Sequence, residues 1–401
     1  MKAKLLMKKD IIKKRLRFSI RKLLSVLQRI IVQDKDKIVF ITIPDAADNG
    51  WHLYRYMCAH LNGKEFVWLC VDPDSVKQRV FEYARNTGNT VTVEPIKSPS
   101  GMHDFISAGF VFLTHGLPEF LPHTPNAIVT NLWHGMPIKS IGLLNKDDQK
   151  RESSFDYTLS TSRYYTEIMC AAFDVPPGKV VECGLPRNDA LLFPDCGVKA
   201  RVASIFNFPS KKRIVFWLPT YRKPNRRGMP DDSCDDSFLD DWSKGFVGRL
   251  NEVAEQANCL IIVKLHPLDS LDVRVFEHEF SGLRFVDSAH WEQSGIDLYD
   301  ALAVSSALVT DFSSVIIDYA ITGNRIAVTR VSYENYSRDM IKGTDRVLDG
   351  CDAIYDESSF FGFIKSIDEG GAFNGVFLEE FNAQARTREP ACEHLLQVLG
   401  I

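Results

Sequence analysis

Two histidines in this sequence directly follow runs of apolar residues, in settings suited to proton transfer or anion binding. His134 lies between Trp133 and Gly135 in the segment LWHGMPIK, after an apolar run that begins at Ala127. An unperturbed imidazole has a pKa near 6.5, so such a histidine can act as a general base at neutral pH. For this motif taken alone, a histidine that caps a helix or lies at the edge of the core is the alternative.

His266 is the second of these histidines, and it ends the most apolar strand-like run in the later part of the chain, in VKLHP. Pro267 cannot continue a strand ladder and fixes the turn, so the imidazole is expected to point into a cleft at the carboxyl edge of a sheet. Ligands bind at that edge in open α/β sheets, and a diphosphate would lie there.

A third segment passes from an apolar run through small hydroxyl residues into a helix pattern. Residues 307–310 are typical of a buried parallel strand, and residues 315–320 of a largely buried helix. The first N–H groups of a helix lack internal partners, and the helix dipole adds about half a positive charge there. The junction therefore predicts an anion site for a diphosphate, with an ordinary N-cap as the alternative. Its polar residues are Thr310, Asp311, Ser313 and Ser314.

Strand and helix patterns alternate along the whole chain, and this alternation must position the three segments. Strands are predicted at 37–43, 66–71, 110–114, 127–132, 157–161, 180–183, 213–218, 259–265, 283–286, 307–310 and 326–328. Helices are predicted at 50–61, 163–173, 186–192, 237–257, 297–304, 313–322, 358–368 and 377–399. The pattern indicates an α/β protein with two doubly wound, Rossmann-like halves. A Pro and Gly turn at 194–197 places the boundary, which predicts domains at 34–195 and 196–401.

Composition narrows the class of protein. The chain has 401 residues, 45% of them apolar, and nine cysteines that form neither a CxxC pair nor a finger-type spacing. An odd, scattered cysteine set argues against a disulfide framework and against structural zinc. We find no apolar run near 18 residues and no signal-peptide pattern, so a cytoplasmic protein is expected.

The first 33 residues differ from the rest in charge. Residues 1–32 contain 11 Lys or Arg and one acidic residue, which leaves −14 for the remainder of a chain whose net charge is −4. Apolar residues recur there at helical spacing, which predicts a basic amphipathic helix at 1–33 that binds an anionic membrane surface. Packing on the protein itself or on a sister subunit is the alternative. Nucleic acid is disfavoured because the rest of the chain is acidic.

Two other motifs have structural explanations. Asp72-Pro73-Asp74 is similar to a metal-binding DxD motif, but Asp72 as an N-cap with Pro73 at the first helical position accounts for it, and no metal site is expected. His115 and Gly116 end another strand pattern, so His115 could line the same cleft or only cap the strand, and we favour capping.

Four motifs together resemble the CDP-glycerol glycerophosphotransferase family of teichoic acid and capsule polymer synthesis. They are WHGMPIK, LPTYR at 218–222, KLHP and TDFSSVIIDYA, with secondary matches at 160–173 and 184–189, and the resemblance covers roughly residues 110–330. It implies a two-domain glycosyltransferase-B architecture with an active site between an acceptor-side domain and a donor domain. It also implies transfer of glycerol phosphate, or a related alditol phosphate, from a CDP-activated donor to a hydroxyl of a lipid-linked glycan or growing polymer, with release of CMP.

The same resemblance implies the roles of particular residues. The catalytic residues are expected to be His134 and His266. The substrate is expected to be bound by Trp133, Gly135, Lys139, Arg187, Thr220, Arg222, Pro267, Thr310, Asp311, Ser313 and Ser314. One base and several donors aimed at a diphosphate are what such a transfer needs, independently of the resemblance.

The sequence also leads to expectations about cofactor, location and alternative functions. We expect no cofactor beyond the CDP-alditol substrate, and a location on the inner face of the cell membrane; a homo-oligomer stays open. A sugar-nucleotide glycosyltransferase of the same fold, or a membrane-recruited scaffold without activity, are the other candidates. No carboxylate pair at glycosidase-like positions is evident, which disfavours glycoside hydrolysis.

Overall fold

The chain is described by a computed structural model over residues 2–145, 154–219, 244–265, 273, 280–330, 340–369 and 380–401. It divides into two compact units, each built from more than one segment. The first comprises Met1–His134, Gln149–Arg187 and Glu389–Ile401, and the second comprises Gly135–Asp148 and Asn188–Arg388.

A seven-stranded parallel sheet forms the centre of the first unit. Its strand order is β3-β2-β1-β4-β5-β6-β7, so the direction of winding reverses between β1 and β4. Such a reversal is the topological switch point at which open α/β sheets bind ligands. The strands are β1 Asp34–Ile41, β2 Glu65–Cys70, β3 Thr90–Pro95, β4 Ala108–Leu113, β5 Ile128–Asn131, β6 Tyr157–Ser160 and β7 Val180–Glu182.

Aromatic side chains pack the core of this unit. Phe40 of β1 stacks on Trp68 of β2 with ring centroids 4.7 Å apart, and on Phe112 of β4 at 5.6 Å. Tyr54 lies edge-on to Trp68 at 5.4 Å and donates its hydroxyl to the carbonyl of Val80 at 2.8 Å. The first unit also contains the helices α1 Lys2–Leu27, α2 Asp48–His60, α3 Pro73–Ala84, α4 Pro99–Ser107 and α5 Arg163–Phe173.

The second unit contains a six-stranded parallel sheet of the order β10-β9-β8-β11-β12-β13, with its switch point between β8 and β11. Both faces are covered, which is why the strand sequences are almost continuously apolar. Trp217 of β8, for example, packs on Phe360 of a helix with centroids 4.8 Å apart, while Phe216 faces Trp291 on the other side at 6.1 Å. The strands are β8 Arg213–Leu218, β9 Cys259–Lys264, β10 Leu283–Val286, β11 Ala307–Thr310, β12 Arg325–Thr329 and β13 Asp352–Ile354.

The remaining helices complete both units. Those of the second unit are α6 Asn188–Leu192, α7 Val198–Ile205, α8 Lys244–Gln256, α9 Ser288–Ser294, α10 Leu298–Ala303, α11 Val315–Tyr319, α12 Thr344–Asp349, α13 Glu357–Lys365 and α14 Gln384–Thr387; α15 Ala391–Leu399 belongs to the first. Helix α15 contacts α2, so the end of the chain returns to the unit in which the chain began.

The predicted alternation of strands and helices is confirmed, and so is the α/β class with parallel sheets. The two strands that the sequence missed, β3 and β13, lie at sheet edges. Strand β3, for example, is only partly buried, so it lacks the continuous apolar run by which a central strand is recognised. Also missed were β13, α4, α7, α9 and α12.

The single helix predicted over 377–399 is wrong where the structure describes it. Helix α14 ends at Thr387, Arg388 adopts a left-handed conformation with φ 51°, and α15 begins only after Pro390. Proline lacks the N–H that a helix interior needs, and it disfavours helical conformation at the residue before it. The predicted helix at 237–257 ends as observed in α8, whereas residues 237–243 lie outside the described residues.

The two units do not follow the linear limits 34–195 and 196–401. The chain passes between them at His134, Asp148, Arg187 and Arg388, whereas the sequence placed one boundary at the turn 194–197. Pro and Gly residues indicate a turn. They do not indicate that a later segment, here Glu389–Ile401, belongs to the first unit.

Helix α1 presents two different faces. Leu24 and Gln28 are buried, and Arg17 forms an ion pair with Glu119 at 2.8 Å, so one side of the helix lies against its own unit. Large apolar side chains on the rest of the segment are exposed, among them Ile12, Leu16, Phe18, Leu23, Val26, Ile30 and Val32. Among the described helices, none has the length and apolar character needed to cross a bilayer.

Gly109 on β4 provides a test of the close pairing between β4 and β1. A Cβ at this position would lie 2.8 Å from the carbonyl oxygen of Asp34 and 2.8 Å from Cα of Lys35, both of them backbone atoms. We expect Gly109→Ala to destabilise the protein by about 1–3 kcal/mol, because the backbone of β1 cannot move aside as a side chain would. Thermal unfolding followed by circular dichroism measures the effect.

Gly178→Ala is the matched control, since a Cβ there meets no atom within 4 Å. Equal melting midpoints for the two variants would contradict the close approach of β1 and β4.

Candidate functional site

The loop that carries His134 begins where β5 ends, next to the switch point of the first sheet. The N–H of Leu132 donates to the carbonyl of Leu113 at 2.7 Å, which ties the end of β5 to β4. Trp133 then adopts a left-handed conformation with φ 57°, and Gly135 has φ 129°, a region that residues with a Cβ rarely adopt. The chain thus turns sharply on both sides of His134.

The imidazole of His134 is held by one hydrogen bond and by two rings. Its Nδ1 lies 3.1 Å from the backbone carbonyl oxygen of Thr114. Because a carbonyl can only accept, Nδ1 carries the proton and Nε2 keeps its lone pair. The indole of Trp133 lies 4.1 Å away from the ring, and the imidazole of His115 stacks on it at 4.3 Å with an interplanar angle of 8°. A half-buried base with a defined tautomer results.

Burial controls the protonation of this pair of histidines. Desolvation lowers the pKa of His134 below its ordinary 6.5 and outweighs the Thr114 carbonyl and Asp48, which act in the opposite direction; Arg187 lowers it further. Burial and the neighbouring His134 lower the pKa of His115 to about 4, against the opposing charge of Asp48. Both rings are therefore neutral at pH 7.

Two residues that the sequence did not indicate support the His134 loop. Asn49, at the start of α2, is fully buried and donates its amide to the carbonyls of Leu132 at 3.2 Å and Trp133 at 2.9 Å. Its side-chain oxygen accepts from the N–H of Arg187 at 3.1 Å. Asp48 precedes it and pairs with the Arg187 guanidinium at 2.7 Å. Their one sequence signal is their position after β1, the first strand of the switch point.

Arg187 was expected to bind substrate, and that role stays a prediction. The structure gives it a second role, because its residue surface is only 5% exposed and its guanidinium pairs with Asp48. In the structure the arginine therefore supports the loop of His134.

Gly135 and Lys139 belong to the second unit, although they continue the same motif. Lys139 pairs as an isolated bridge with Met340. The carbonyl of the preceding residue, Ile138, accepts from the Thr344 hydroxyl at 2.9 Å. These bonds fix the end of the motif within the second unit.

The hydroxyl segment joins the end of β11 to a helix, as predicted, and β11 borders the switch point of the second sheet. Thr310 is buried and donates its hydroxyl to the carbonyl of Leu218 at 2.9 Å, which joins the ends of β11 and β8. Asp311 is also buried, whereas Ser313 and Ser314 are half-buried. The two serines are therefore the accessible members of the segment.

The helix that follows is shorter than predicted. It spans Val315–Tyr319 and continues as a 3₁₀ turn over Ala320–Thr322, and its first N–H groups already have partners. Ile316 and Ile317 donate to the carbonyls of Ser313 and Ser314 at 3.2 and 3.1 Å. The N–H groups of these two residues are thus engaged within the helix and are not the expected anion donors, whereas the half-buried serines still offer their hydroxyls. The Ser314 side chain makes no capping bond.

Four of the predicted site residues lie outside the described residues, and the structure says nothing of them. They are Thr220, Arg222, His266 and Pro267.

The Asp72-Pro73-Asp74 motif forms the start of a helix, as predicted, but without the predicted side-chain cap. Asp72 is the N-cap of α3 and Pro73 its first residue, but the Asp72 side chain makes no capping bond. Its N–H instead donates to the carboxylate of Asp45 at 2.7 Å.

Known proteins resemble this chain both in sequence and in fold. The teichoic acid glycerol-phosphate transferase of Staphylococcus aureus (strain NCTC 8325 / PS 47) is 28% identical over 343 residues, which cover 78% of each chain. The teichoic acid poly(glycerol phosphate) polymerase of Bacillus subtilis (strain 168) is 27% identical over 252 residues, 57% of this chain and 30% of that protein. The wall teichoic acid polymerase TagF has the same fold, with a TM-score of 0.72 at 19% identity over 99% of this chain and 95% of that one.

The family model named CDP-Glycerol:Poly(glycerophosphate) glycerophosphotransferase matches residues 23–382, which is most of the chain and extends well beyond the motifs of residues 110–330. This match includes both switch points and the loop of His134. The chain therefore belongs to the CDP-glycerol:poly(glycerophosphate) glycerophosphotransferase family.

Proposed function

We propose that this protein transfers glycerol phosphate from CDP-glycerol to a hydroxyl of a lipid-linked glycan or growing polymer and releases CMP. Membership of the family supports the reaction class, and the names of the relatives support a role in teichoic acid or a similar surface polymer. The observation that carries the mechanism is the fixed tautomer of His134, whose Nε2 lone pair is free to accept a proton.

In the proposed step, an acceptor hydroxyl attacks the phosphorus next to the glycerol. A new O–P bond forms, the bond from phosphorus to the CMP oxygen breaks, and the hydroxyl proton moves to Nε2 of His134. Nδ1 of His134 keeps its proton and donates it to the Thr114 carbonyl throughout, so the ring keeps its orientation. Asp48 favours the imidazolium that results.

For the donor we propose the segment after β11, with the hydroxyls of Ser313 and Ser314 donating to the diphosphate. Buried Thr310 and Asp311 would hold that segment in place. The further donor-side roles of Thr220, Arg222, His266 and Pro267 stay proposals from the motifs alone. So do substrate contacts by Trp133, Gly135 and Lys139, and the reaction needs no cofactor in this proposal.

We also propose the glycosyltransferase-B type for the fold, with an acceptor-side domain and a donor domain. The second sheet repeats the order of the first six strands of the first sheet, which supports this proposal. A sugar-nucleotide glycosyltransferase would share this fold but would leave a nucleoside diphosphate, whereas the proposed reaction leaves CMP. A scaffold without activity would release neither product.

The N-terminal helix is proposed to place the enzyme on the inner face of the cell membrane, where a lipid-linked acceptor would be found. The exposed apolar residues of α1 and the net charge of +10 over residues 1–32 support this proposal. Basic residues near an anionic surface contribute about 1 kcal/mol each.

The first prediction concerns the base. His134→Gln should lower kcat by roughly 10² to 10⁴, because glutamine cannot take the proton. In the wild type, kcat/KM should fall only as the pH drops below 6.5, since burial lowers the pKa of His134 and the imidazole stays unprotonated to a lower pH than usual. CMP release from CDP-glycerol, measured from pH 4.5 to 8, tests both statements.

The matched control is His103→Gln, because the His103 side chain is 61% exposed and lies elsewhere in the same unit. An acidic limb above pH 6.5, or His134→Gln turnover equal to that of the control, would remove His134 as the base.

The second prediction concerns the donor site. Replacement of Ser313 and Ser314 by alanine should weaken CDP-glycerol binding, since each hydrogen bond to a charged group contributes about 1.5 to 3 kcal/mol. This corresponds to a loss of roughly tenfold or more per hydroxyl. Titration calorimetry with CDP-glycerol measures it, with exposed Ser204 replaced by alanine as the control. Unchanged affinity in the double variant would mean that the serines only shape the turn.

The third prediction concerns the membrane. Replacement of Ile12, Leu16 and Leu23 by glutamine should reduce binding to vesicles that contain anionic lipid, because these side chains are exposed and carry no core packing. Activity on a soluble acceptor analogue should be unchanged. Vesicle sedimentation in 0.1 M and 1 M salt should also show weaker wild-type binding at high salt, as the Debye length falls from about 10 Å to about 3 Å.

Ser19→Gln, on an exposed position of the same helix, is the control. Wild-type levels of vesicle binding by the triple variant would contradict a membrane role for α1.

A further inference from the structure

His115 follows β4 and stands beside His134, but neither the motifs nor the proposed mechanism assign it a function. It was expected to cap the strand rather than to line the cleft. Residues 116–127 are all described and contain no helix, so His115 is not a helix cap. Its ring instead lies parallel to that of His134, with centroids 4.3 Å apart.

The hydrogen bonds of Thr114 determine the tautomer of His115. The Thr114 hydroxyl oxygen accepts from the N–H of Ile43 at 3.1 Å and lies 3.1 Å from Nδ1 of His115. Thr114 is fully buried, so its hydroxyl hydrogen needs an acceptor, and Nδ1 of His115 is the atom in reach. The hydroxyl therefore donates to Nδ1, and the His115 proton is on Nε2.

Thr114 thus assigns opposite roles to the two stacked rings. Its carbonyl accepts from Nδ1 of His134, which leaves a lone pair on that Nε2, and its hydroxyl donates to Nδ1 of His115, which leaves an N–H there. Because both Nδ1 atoms are directed at Thr114 and the rings are parallel, both Nε2 atoms face away from it. An acceptor and a donor stand side by side at the half-buried edge of the stack.

The groups around His115 keep it a neutral donor. Within the described part of the chain, the charged or titratable groups that act on the pair are Asp48, Arg187 and the two imidazoles themselves. A second positive charge next to the imidazolium of His134 would be unfavourable, and burial already lowers the pKa of His115 to about 4. His115 therefore retains its single proton on Nε2 while His134 gains one.

We propose that His115 is a second catalytic residue of this site, and that its Nε2–H donates a hydrogen bond to a non-bridging oxygen of the phosphoryl group under transfer. The inference rests on the proposed function, in which Nε2 of His134 binds the attacking hydroxyl. That oxygen approaches phosphorus to about 3–3.5 Å before reaction, so the phosphoryl oxygens come within reach of a donor one ring spacing away. Charge is spread over these oxygens in the transition state.

No proton is transferred through His115 in this step. The acceptor proton goes to His134, the electron pair of the broken P–O bond goes to CMP, and His115 keeps its Nε2 proton. Its hydrogen bond strengthens as the phosphoryl group moves, so the effect belongs to kcat more than to KM.

Two variants of His115 separate hydrogen bonding from stacking. His115→Phe keeps a flat ring against His134 but removes the donor, while His115→Gln places an amide N–H near the position of Nε2. We expect His115→Phe to lower kcat for CMP release by about 10² to 10³, the usual effect of one lost donor of this kind, with little change in KM for CDP-glycerol. His115→Gln should stay within about tenfold of the wild type. Thermal unfolding midpoints establish that both variants are folded.

Wild-type turnover by His115→Phe would overturn the proposal, and so would an equal loss in the two variants, since that would assign the effect to ring packing. An acidic limb of kcat/KM that moves in His115→Phe without a fall in kcat would likewise reduce His115 to support of His134. Failure of the wild type to release CMP from CDP-glycerol would contradict the proposed function itself, which distinguishes that failure from failure of this inference.

Discussion

The hydrogen bond from Nδ1 of His134 to the carbonyl of Thr114 is the interaction on which the first unit's site depends. It decides which imidazole nitrogen can act as a base, and a backbone carbonyl cannot change its role as a side chain could. Its length depends on the parallel pairing of β4 with β5, because Thr114 follows one strand and the histidine loop follows the other. Asn49 holds that loop in place, because its side-chain amide donates to the carbonyls of Leu132 and Trp133.

Burial of His134 lowers its pKa, and the charge of Asp48 acts in the opposite direction. A base with a lowered pKa is unprotonated over a wide pH range, but it binds a proton less strongly when the reaction needs it to. Asp48 offsets this weakness, since its charge favours the imidazolium once the proton has moved. The ion pair with Arg187 holds the Asp48 carboxylate in place, so the arginine contributes through its neighbour.

The second sheet repeats the order of the first six strands of the first sheet. The polar residues at its switch point differ in how deeply they are buried. Thr310 bonds across its switch point to the end of β8, and Asp311 is buried next to it, whereas the serines after them are accessible. The short helix that follows uses its first N–H groups in 3₁₀ bonds. A pattern of small hydroxyl residues thus contains both structural and accessible members, which burial alone separates.

The sequence by itself determined the α/β class, most of the central strands, the family and the positions of His134 and the hydroxyl segment at strand ends. These follow from local patterns, because apolar runs, turn residues and motifs are properties of neighbours in the chain. Strand β3, the break at Pro390 and the return of α15 to the first unit were not predicted. The roles of Asp48, Asn49 and Thr114, and the stacking of His115 on His134, also became visible only in the tertiary structure. Their roles depend on contacts between residues 19 to 139 positions apart. The parallel sheet creates those contacts, because its strands bring distant chain segments to one edge.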